Sequence, residues 1–246
     1  MDSAIAQNIS RFGVSPDRDW LYLAGTSMAT PLVAGCCAVL RESLIRDPQT
    51  HQRQPDITPS SALVKALLIN GAVDLPGQYP RSEAGRSPNP SSGWGRVNLA
   101  NSIIVPGPND PNAGFGEGDP LPEGKSRTIH IRIPEEVPRP DSQHPVSGSD
   151  SGTRTFKITL VWTDKPSPPT AAGDQVLQNN LNLIVRIDNR ERHGNRDEGD
   201  MSFDEVNNVE QIVWENMPAG DAEVTVRAGH YVSGGTQAYA YAWKIF

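Results

Sequence analysis

The stretch Gly25-Thr26-Ser27-Met28-Ala29-Thr30-Pro31 constrains this chain most, because a long apolar segment, residues 32–44, follows it directly. Apolar and small residues over that length predict a buried helix. Pro31 suits a first helical turn, where its missing N–H would be unpaired anyway. Ser27 is therefore predicted on a tight turn at or near a helix N-terminus, where backbone N–H groups are unpaired and the dipole favours negative charge.

Two roles for Ser27 fit that position. Either Ser27 or Thr26 simply caps the helix, as serine and threonine commonly do, or Ser27 is a nucleophile whose own N–H meets a developing oxyanion. The whole stretch resembles the nucleophile signature of the subtilisin-like serine proteases (the subtilases, peptidase family S8). The resemblance implies that Ser27 is the catalytic serine and that Gly25, Thr26 and Met28 form its turn and line the oxyanion hole.

The rest of the catalytic machinery of that family is missing before Ser27. In subtilases the triad runs Asp, His, Ser along the chain, yet the twenty-six residues before Ser27 contain no histidine. Asp2, Asp17 and Asp19 lie outside the Asp-Ser/Thr-Gly context that the family uses. Because a serine hydroxyl without a base is a weak nucleophile, we expect the C-terminal part of a subtilase, inactive alone.

Two further segments resemble the subtilase catalytic domain. A second helix is predicted from Ser60 or Ser61 to a stop at Gly71, and it resembles the helix that packs beside the serine helix. The segment Gly93-Trp94-Gly95-Arg96-Val97 predicts close backbone approach around a packed indole, and Asn98 could cap a short final helix. We therefore assign residues 1–104 to an α/β subtilisin-like fragment with an incomplete parallel sheet, which includes a short buried strand over residues 20–24.

The second half of the chain has the pattern of β structure. Residues 105–123 have the composition of a linker, and six strands with period-two alternation are predicted after it, over residues 128–133, 155–162, 182–187, 209–214, 222–227 and 237–246. Such strands indicate an all-β sandwich or barrel. Leu160–Asp164, Leu181–Leu183 and Asn207–Glu210 resemble the jelly-roll domain of one subtilase subgroup, so residues 124–246 are predicted to be a jelly-roll sandwich.

Calcium is a possible ligand of that β domain, because related jelly-roll domains can bind it through six to eight oxygen atoms. The candidates are Asp164, Asp174, Asn180 and Asn182. The family tends to have Asn-Asp-Leu-Asp where this chain has Asn-Asn-Leu-Asn, and the uncharged amides should weaken a site. The alternative is a solvated acidic loop. The serine chemistry itself requires no cofactor.

The charge and hydropathy of the chain limit the classes of partner that it is expected to bind. The formal net charge of −7 leaves no basic stripe for a nucleic acid. No run is expected to be long enough to span a bilayer, and the N-terminus lacks the basic start and apolar run of a signal peptide. The resemblance implies an extracellular full-length parent whose signal lies upstream.

The leading hypothesis is therefore a serine-type endopeptidase that cleaves polypeptides through an acyl-enzyme on Ser27, present here as a fragment without its Asp and His. The alternative is a non-catalytic β-sandwich that binds or stabilises, joined to a relic protease segment.

Overall fold

The computed structural model describes eleven stretches of the chain. These are residues 16–17, 19, 22–47, 49–50, 52–54, 56–75, 85–105, 111–135, 154–167, 176–232 and 234–246. The chain divides into two compact units, residues 1–39 and residues 40–246, and each is described by itself.

The serine helix α1 spans Thr26–Ile45 and starts earlier than predicted. Gly25 has a φ of +149°, a value that favours glycine, and its carbonyl accepts the N–H groups of Met28 and Ala29, each at 3.1 Å. Pro31 consequently lies in the second turn rather than the first. Its ring has no N–H to donate to the carbonyl of Ser27, one turn earlier.

The prediction of a buried helix is wrong for the first part of α1. Met28, Leu32 and Val39 are exposed, whereas Leu40 and Leu44 are buried. Leu40 and Leu44 belong to the apolar core of the unit of residues 40–246. By length and composition α1 could cross a bilayer, contrary to the expectation that no run is long enough, although core helices of soluble proteins pass the same test.

The two other helices confirm their predicted caps. Helix α2 spans Ser61–Gly71, and the side chain of Ser60 accepts the N–H of Leu63 at 3.1 Å. Helix α3 is a single turn, Leu99–Ser102, whose cap Asn98 accepts the N–H of Asn101 at 3.2 Å.

Eight strands form two four-stranded sheets. They are β1 (Ala113–Pro122), β2 (Ser126–Ile133), β3 (Thr155–Trp162), β4 (Asn179–Ile187), β5 (Arg190–His193), β6 (Val209–Glu215), β7 (Gly220–Tyr231) and β8 (Thr236–Ile245). The orders are β1-β8-β3-β6 and β2-β7-β4-β5, and all strand pairs among the described residues are antiparallel.

The expected parallel sheet is therefore absent from the described part of the chain. Residues 22–24, the described end of the strand predicted over 20–24, are not a strand, and Tyr22 and Leu23 are about half exposed. A strand exists only by pairing with a neighbour, and this stretch has none among the described residues.

The predicted linker contains strand β1, which corrects that assignment. Gly114, Gly116 and Gly118 pair with Trp243, Tyr241 and Tyr239 of β8. A Cβ on any of these glycines would come within 2.7 Å of the opposite aromatic side chain. The glycine-rich composition therefore serves ring packing across a strand pair, and not chain flexibility. Residues 113–122 of the predicted linker are therefore a strand, and the division of the chain into two domains stays a prediction.

The main core lies between the two sheets. Phe156, Ile158, Leu160 and Trp162 of β3 enter it, as the alternation predicts, together with the inward residues of β4 and β7. The other face of β3 is also buried, because α2 covers the outer side of the β1-β8-β3-β6 sheet. Val161 belongs to that second core, with Leu63 and Leu67 of α2.

Polar side chains fasten α2 to the sheet within this second core. Thr159 donates to the side-chain oxygen of Asn70 at 3.1 Å and accepts from Gln211 at 2.8 Å, and all three residues are buried. The ammonium of Lys157 donates to the carbonyl of Ala72 at 2.8 Å. Burial lowers the pKa of Lys157, and nearby Asp74 opposes that effect. The buried polar groups are thus paired, as their desolvation requires.

Candidate active site

The nucleophile turn is built by Gly25 and the first turn of α1. Ser27 is the second residue of the helix and is exposed. Thr26 uses its carbonyl to accept the hydroxyl of Thr30 at 2.8 Å. In the described part of the chain the N–H of Ser27 donates no backbone hydrogen bond, as expected of a first helical turn. Ser27 therefore presents a hydroxyl, and an amide without a backbone partner among the described residues, in the positive field of a helix N-terminus.

A base for Ser27 is not present in its own compact unit. Residues 1–39 contain no histidine. Of the three aspartates expected to fall outside the family context, Asp17 accepts the N–H of Asp19 at 3.0 Å, and Asp2 lies outside the described residues. The turn can supply a nucleophile and an oxyanion donor, but proton transfer needs a group from elsewhere.

The histidines that the structure describes serve other purposes. His193, the last residue of β5, is buried. Its Nδ1 lies 3.0 Å from the Ser202 carbonyl and its Nε2 lies 2.8 Å from Glu191. Hydrogen bonding to His193 is the largest cause of the lowered pKa of Glu191. With both ring nitrogens engaged, His193 is a packing residue. His130 and His230 are exposed on β2 and β7, while His51 and His144 lie outside the described residues.

The calcium candidates are not brought together. Asp164 accepts the N–H groups of Gln178 and Asn179, at 2.7 and 2.9 Å, with its two carboxylate oxygens. Asn180 and Asn182 line a different cavity, and Asp174 lies outside the described residues. Among the described residues there is no group of three or more His, Cys, Asp or Glu side chains that could hold a metal ion. The described candidates are therefore not gathered in one cluster, and calcium binding stays a prediction.

The comparison with protein families concerns the first part of the chain. Residues 6–95 match the model of the Subtilase family. This chain therefore contains a subtilase segment. The match contains the predicted nucleophile turn, α1, α2 and the Gly93–Gly95 segment, whereas the jelly-roll residues of the resemblance lie outside it.

Three curated relatives are similar to this chain over a longer stretch than that segment. The chain is 29% identical over 189 residues to the serine protease/ABC transporter B family protein tagB of Dictyostelium discoideum, which covers 67% of this chain and 10% of tagB. The related protein tagD is 28% identical, and the match covers 78% of this chain and 12% of tagD. The related protein tagA is 25% identical, and the match covers 84% of this chain and 11% of tagA. These shares are too large to be confined to residues 6–95. The chain spans about a tenth of the length of these relatives.

The sequence reasoning missed a second group of polar residues, on the outer face of the β2-β7-β4-β5 sheet. Phe203 stacks on His193, with ring centroids 4.7 Å apart, and the guanidinium of Arg227 lies 5.5 Å from the Phe203 ring. One signal was available: Asn180 and Asn182 alternate with the core residues Leu181 and Leu183, so both had to face outward.

Proposed function

We propose that this chain is part of a subtilisin-like serine endopeptidase, in which Ser27 attacks the peptide carbonyl and forms an acyl-enzyme that water then hydrolyses. The observation that carries the proposal is the exposed Ser27 in the first turn of α1, inside the segment that matches the subtilase family. Its N–H has no backbone partner in the part of the chain that the structure describes. That N–H is proposed as one oxyanion donor, and Gly25 and Met28 shape the turn.

The substrate class proposed is polypeptide. The family supports it, and so do the printed names of the relatives, which begin with serine protease. The Asp and His of the subtilase mechanism are not found before Ser27 in this sequence, so we propose that residues beyond these 246 supply them. The chain alone is then proposed to be inactive.

The β sandwich is proposed to be the jelly roll of the subtilases that carry such a domain. The strand orders β1-β8-β3-β6 and β2-β7-β4-β5 support it, because eight strands divided between two sheets in two Greek keys define that architecture. A membrane span remains outside the proposal, since Leu40, Leu44 and Ile45 at the end of α1 are buried in protein. We propose no nucleic-acid partner, because the formal net charge of the chain is −7. We propose an extracellular full-length parent, because the family implies one.

A fluorophosphonate probe on the protein recovered from its native source tests the nucleophile. We expect the probe to be found on the peptide that contains Ser27, and to be lost in Ser27→Ala. Ser43→Ala is the matched control, because Ser43 lies in the same helix and bonds the Leu40 carbonyl. Labelling of another serine, or none, would overturn the assignment.

The inactivity of the 246-residue chain has a separate test. With a nitrophenyl ester as substrate we expect no burst of acyl product. A burst that disappears in Ser27→Ala would show that these residues already contain a working base.

A further inference from the structure

We propose that the outer face of the β2-β7-β4-β5 sheet carries a binding site for a neutral, hydroxyl-rich ligand, a single sugar residue or polyol. The site, called the sheet pocket below, is a cavity of about 240 Å³ lined by Asn180, Asn182, Phe203, Glu205, Arg227 and Gly229, among others. It lies in the unit of residues 40–246 and takes no part in the chemistry proposed for Ser27.

The position of the sheet pocket follows from the register of its strands. Asn182 of β4 lies opposite Arg227 of β7, and Ile184 lies opposite His193 of β5. Phe203 contacts both His193 and Arg227, so the loop between β5 and β6 reaches across β4 at this level. Asn182 is consequently only 3% exposed, although it points away from the sandwich core.

The two asparagines carry polar atoms that the described residues do not satisfy. The side-chain oxygens of Asn180 and Asn182 are buried and have no hydrogen-bond partner in the described part of the chain. Leaving a buried acceptor unpaired costs about 1–3 kcal/mol, so such groups in a pocket wall point to a ligand. The amide nitrogens of the two residues would lie 3.3 and 3.1 Å from a Cβ on Gly229. Both amides thus converge where the missing side chain of Gly229 leaves space.

The charges around the sheet pocket select a neutral ligand. The positive charge of Arg227 disfavours binding of a metal cation, and the negative charge of Glu205 disfavours binding of an anion, since like charges near one site repel. Amides, a carboxylate and a guanidinium together offer both donors and acceptors, which suits hydroxyl groups that donate and accept at once. The volume is below the roughly 300–1,000 Å³ of pockets for drug-sized ligands, and this favours one sugar ring.

A peptide fits the sheet pocket less well. Peptides commonly dock on a free strand edge or by apolar anchors in a groove. The strand residues of the sheet pocket (Asn180, Asn182, Arg227 and Gly229) lie on β4 and β7, the two inner strands of their sheet, where no free edge is offered. A peptide ligand is therefore an outcome of the test that would contradict the proposal.

The test is ligand-observed NMR, by saturation transfer, on the 246-residue chain. The probes are the methyl glycosides of glucose, galactose, mannose and N-acetylglucosamine, with glycerol as a minimal polyol and a tetra-alanine peptide and calcium chloride as competitors. We expect at least one glycoside or glycerol to receive saturation, and neither competitor to displace it.

Two variants separate binding from folding. Asn182→Ala removes an amide whose oxygen has no hydrogen-bond partner among the described residues, and should weaken binding about tenfold, the change given by 1.4 kcal/mol. Gly229→Val keeps both asparagines and should block the sheet pocket sterically. Asn101→Ala, an asparagine of helix α3, is the matched control and should bind as wild type. Saturation of no probe, displacement by the peptide or calcium, or equal binding in both variants would overturn the proposal.

Discussion

Replacing Gly71, the last residue of α2, with alanine is predicted to destabilise the protein. A Cβ at this position would lie 2.1 Å from the hydroxyl oxygen of Ser102, 2.5 Å from its backbone nitrogen and 2.6 Å from its Cα. Two of these three atoms belong to the backbone of α3, so a change of rotamer cannot relieve the overlap. In Gly71→Ala the two helices must move apart.

The magnitude follows from two opposing effects. Extra methyl groups in a packed interior cost about 1–3 kcal/mol, and alanine in place of glycine in a helix interior gains about 1 kcal/mol, less at a helix end. We expect the packing cost to win, because Gly71 is buried and faces backbone. For a protein of this size, 1 kcal/mol lowers Tm by about 2–4 °C.

Thermal and urea unfolding, followed by circular dichroism and tryptophan fluorescence, measure the effect. Gly35→Ala is the matched control: it too is a glycine-to-alanine change within a helix, yet its Cβ would have no atom within 4 Å, so stability should hold or rise. Adding Ser102→Gly to Gly71→Ala should restore only part of the loss, since the backbone contacts remain. A Gly71→Ala protein at least as stable as wild type would refute the close approach.

Three further predictions concern the β sandwich. Burial raises the pKa of Glu210 well above its ordinary 4.5, so the free energy of unfolding should fall as pH rises from 4.5 through the raised pKa. Glu210→Gln should remove this fall, and the variant should be more stable than wild type at neutral pH but not below pH 4.5. Urea unfolding at a series of pH values measures the difference. Trp162→Phe loses the indole donation to the Asn179 carbonyl at 2.8 Å and should cost at least about 1–3 kcal/mol; an unchanged urea midpoint would contradict it. Millimolar calcium should leave Tm unchanged because Asp164 already caps backbone N–H groups, and a clear rise would restore the calcium site.

Elements with strong local signals could be predicted from the sequence. Helix α2 has a serine cap, an apolar face and a terminal glycine, and six of the strands show period-two alternation. The assignment of Ser27 as a nucleophile rests on a seven-residue signature and stays a prediction. Strand β1 was missed because Gly114, Gly116 and Gly118 have linker composition, and only the aromatic residues opposite them on β8 explain why glycine is needed. That partner lies more than 110 residues away along the chain.

The candidate sites show the same limit. The role of Ser27 can be proposed from its neighbours in sequence, whereas the sheet pocket could not be predicted. Its residues come from β4, β7 and the loop before β6, and they meet only through strand register. The burial of Asn182 depends on Phe203, whose ring reaches across the sheet. Contacts of this kind are set by tertiary packing, which local patterns do not contain.

The packing of the β1-β8-β3-β6 sheet indicates where the β domain begins. Its sheet has two apolar faces: Phe156 and Trp162 enter the sandwich core, while Val161 and Ala240 lie beneath α2. An apolar outer face would be exposed to water without that helix, and buried Thr159 would lose Asn70. Strand β1, which is needed to cover the aromatic residues of β8, also precedes residue 124. The physical unit therefore includes α2 and β1, and a boundary drawn by composition at residues 105–123 would divide one core between two pieces.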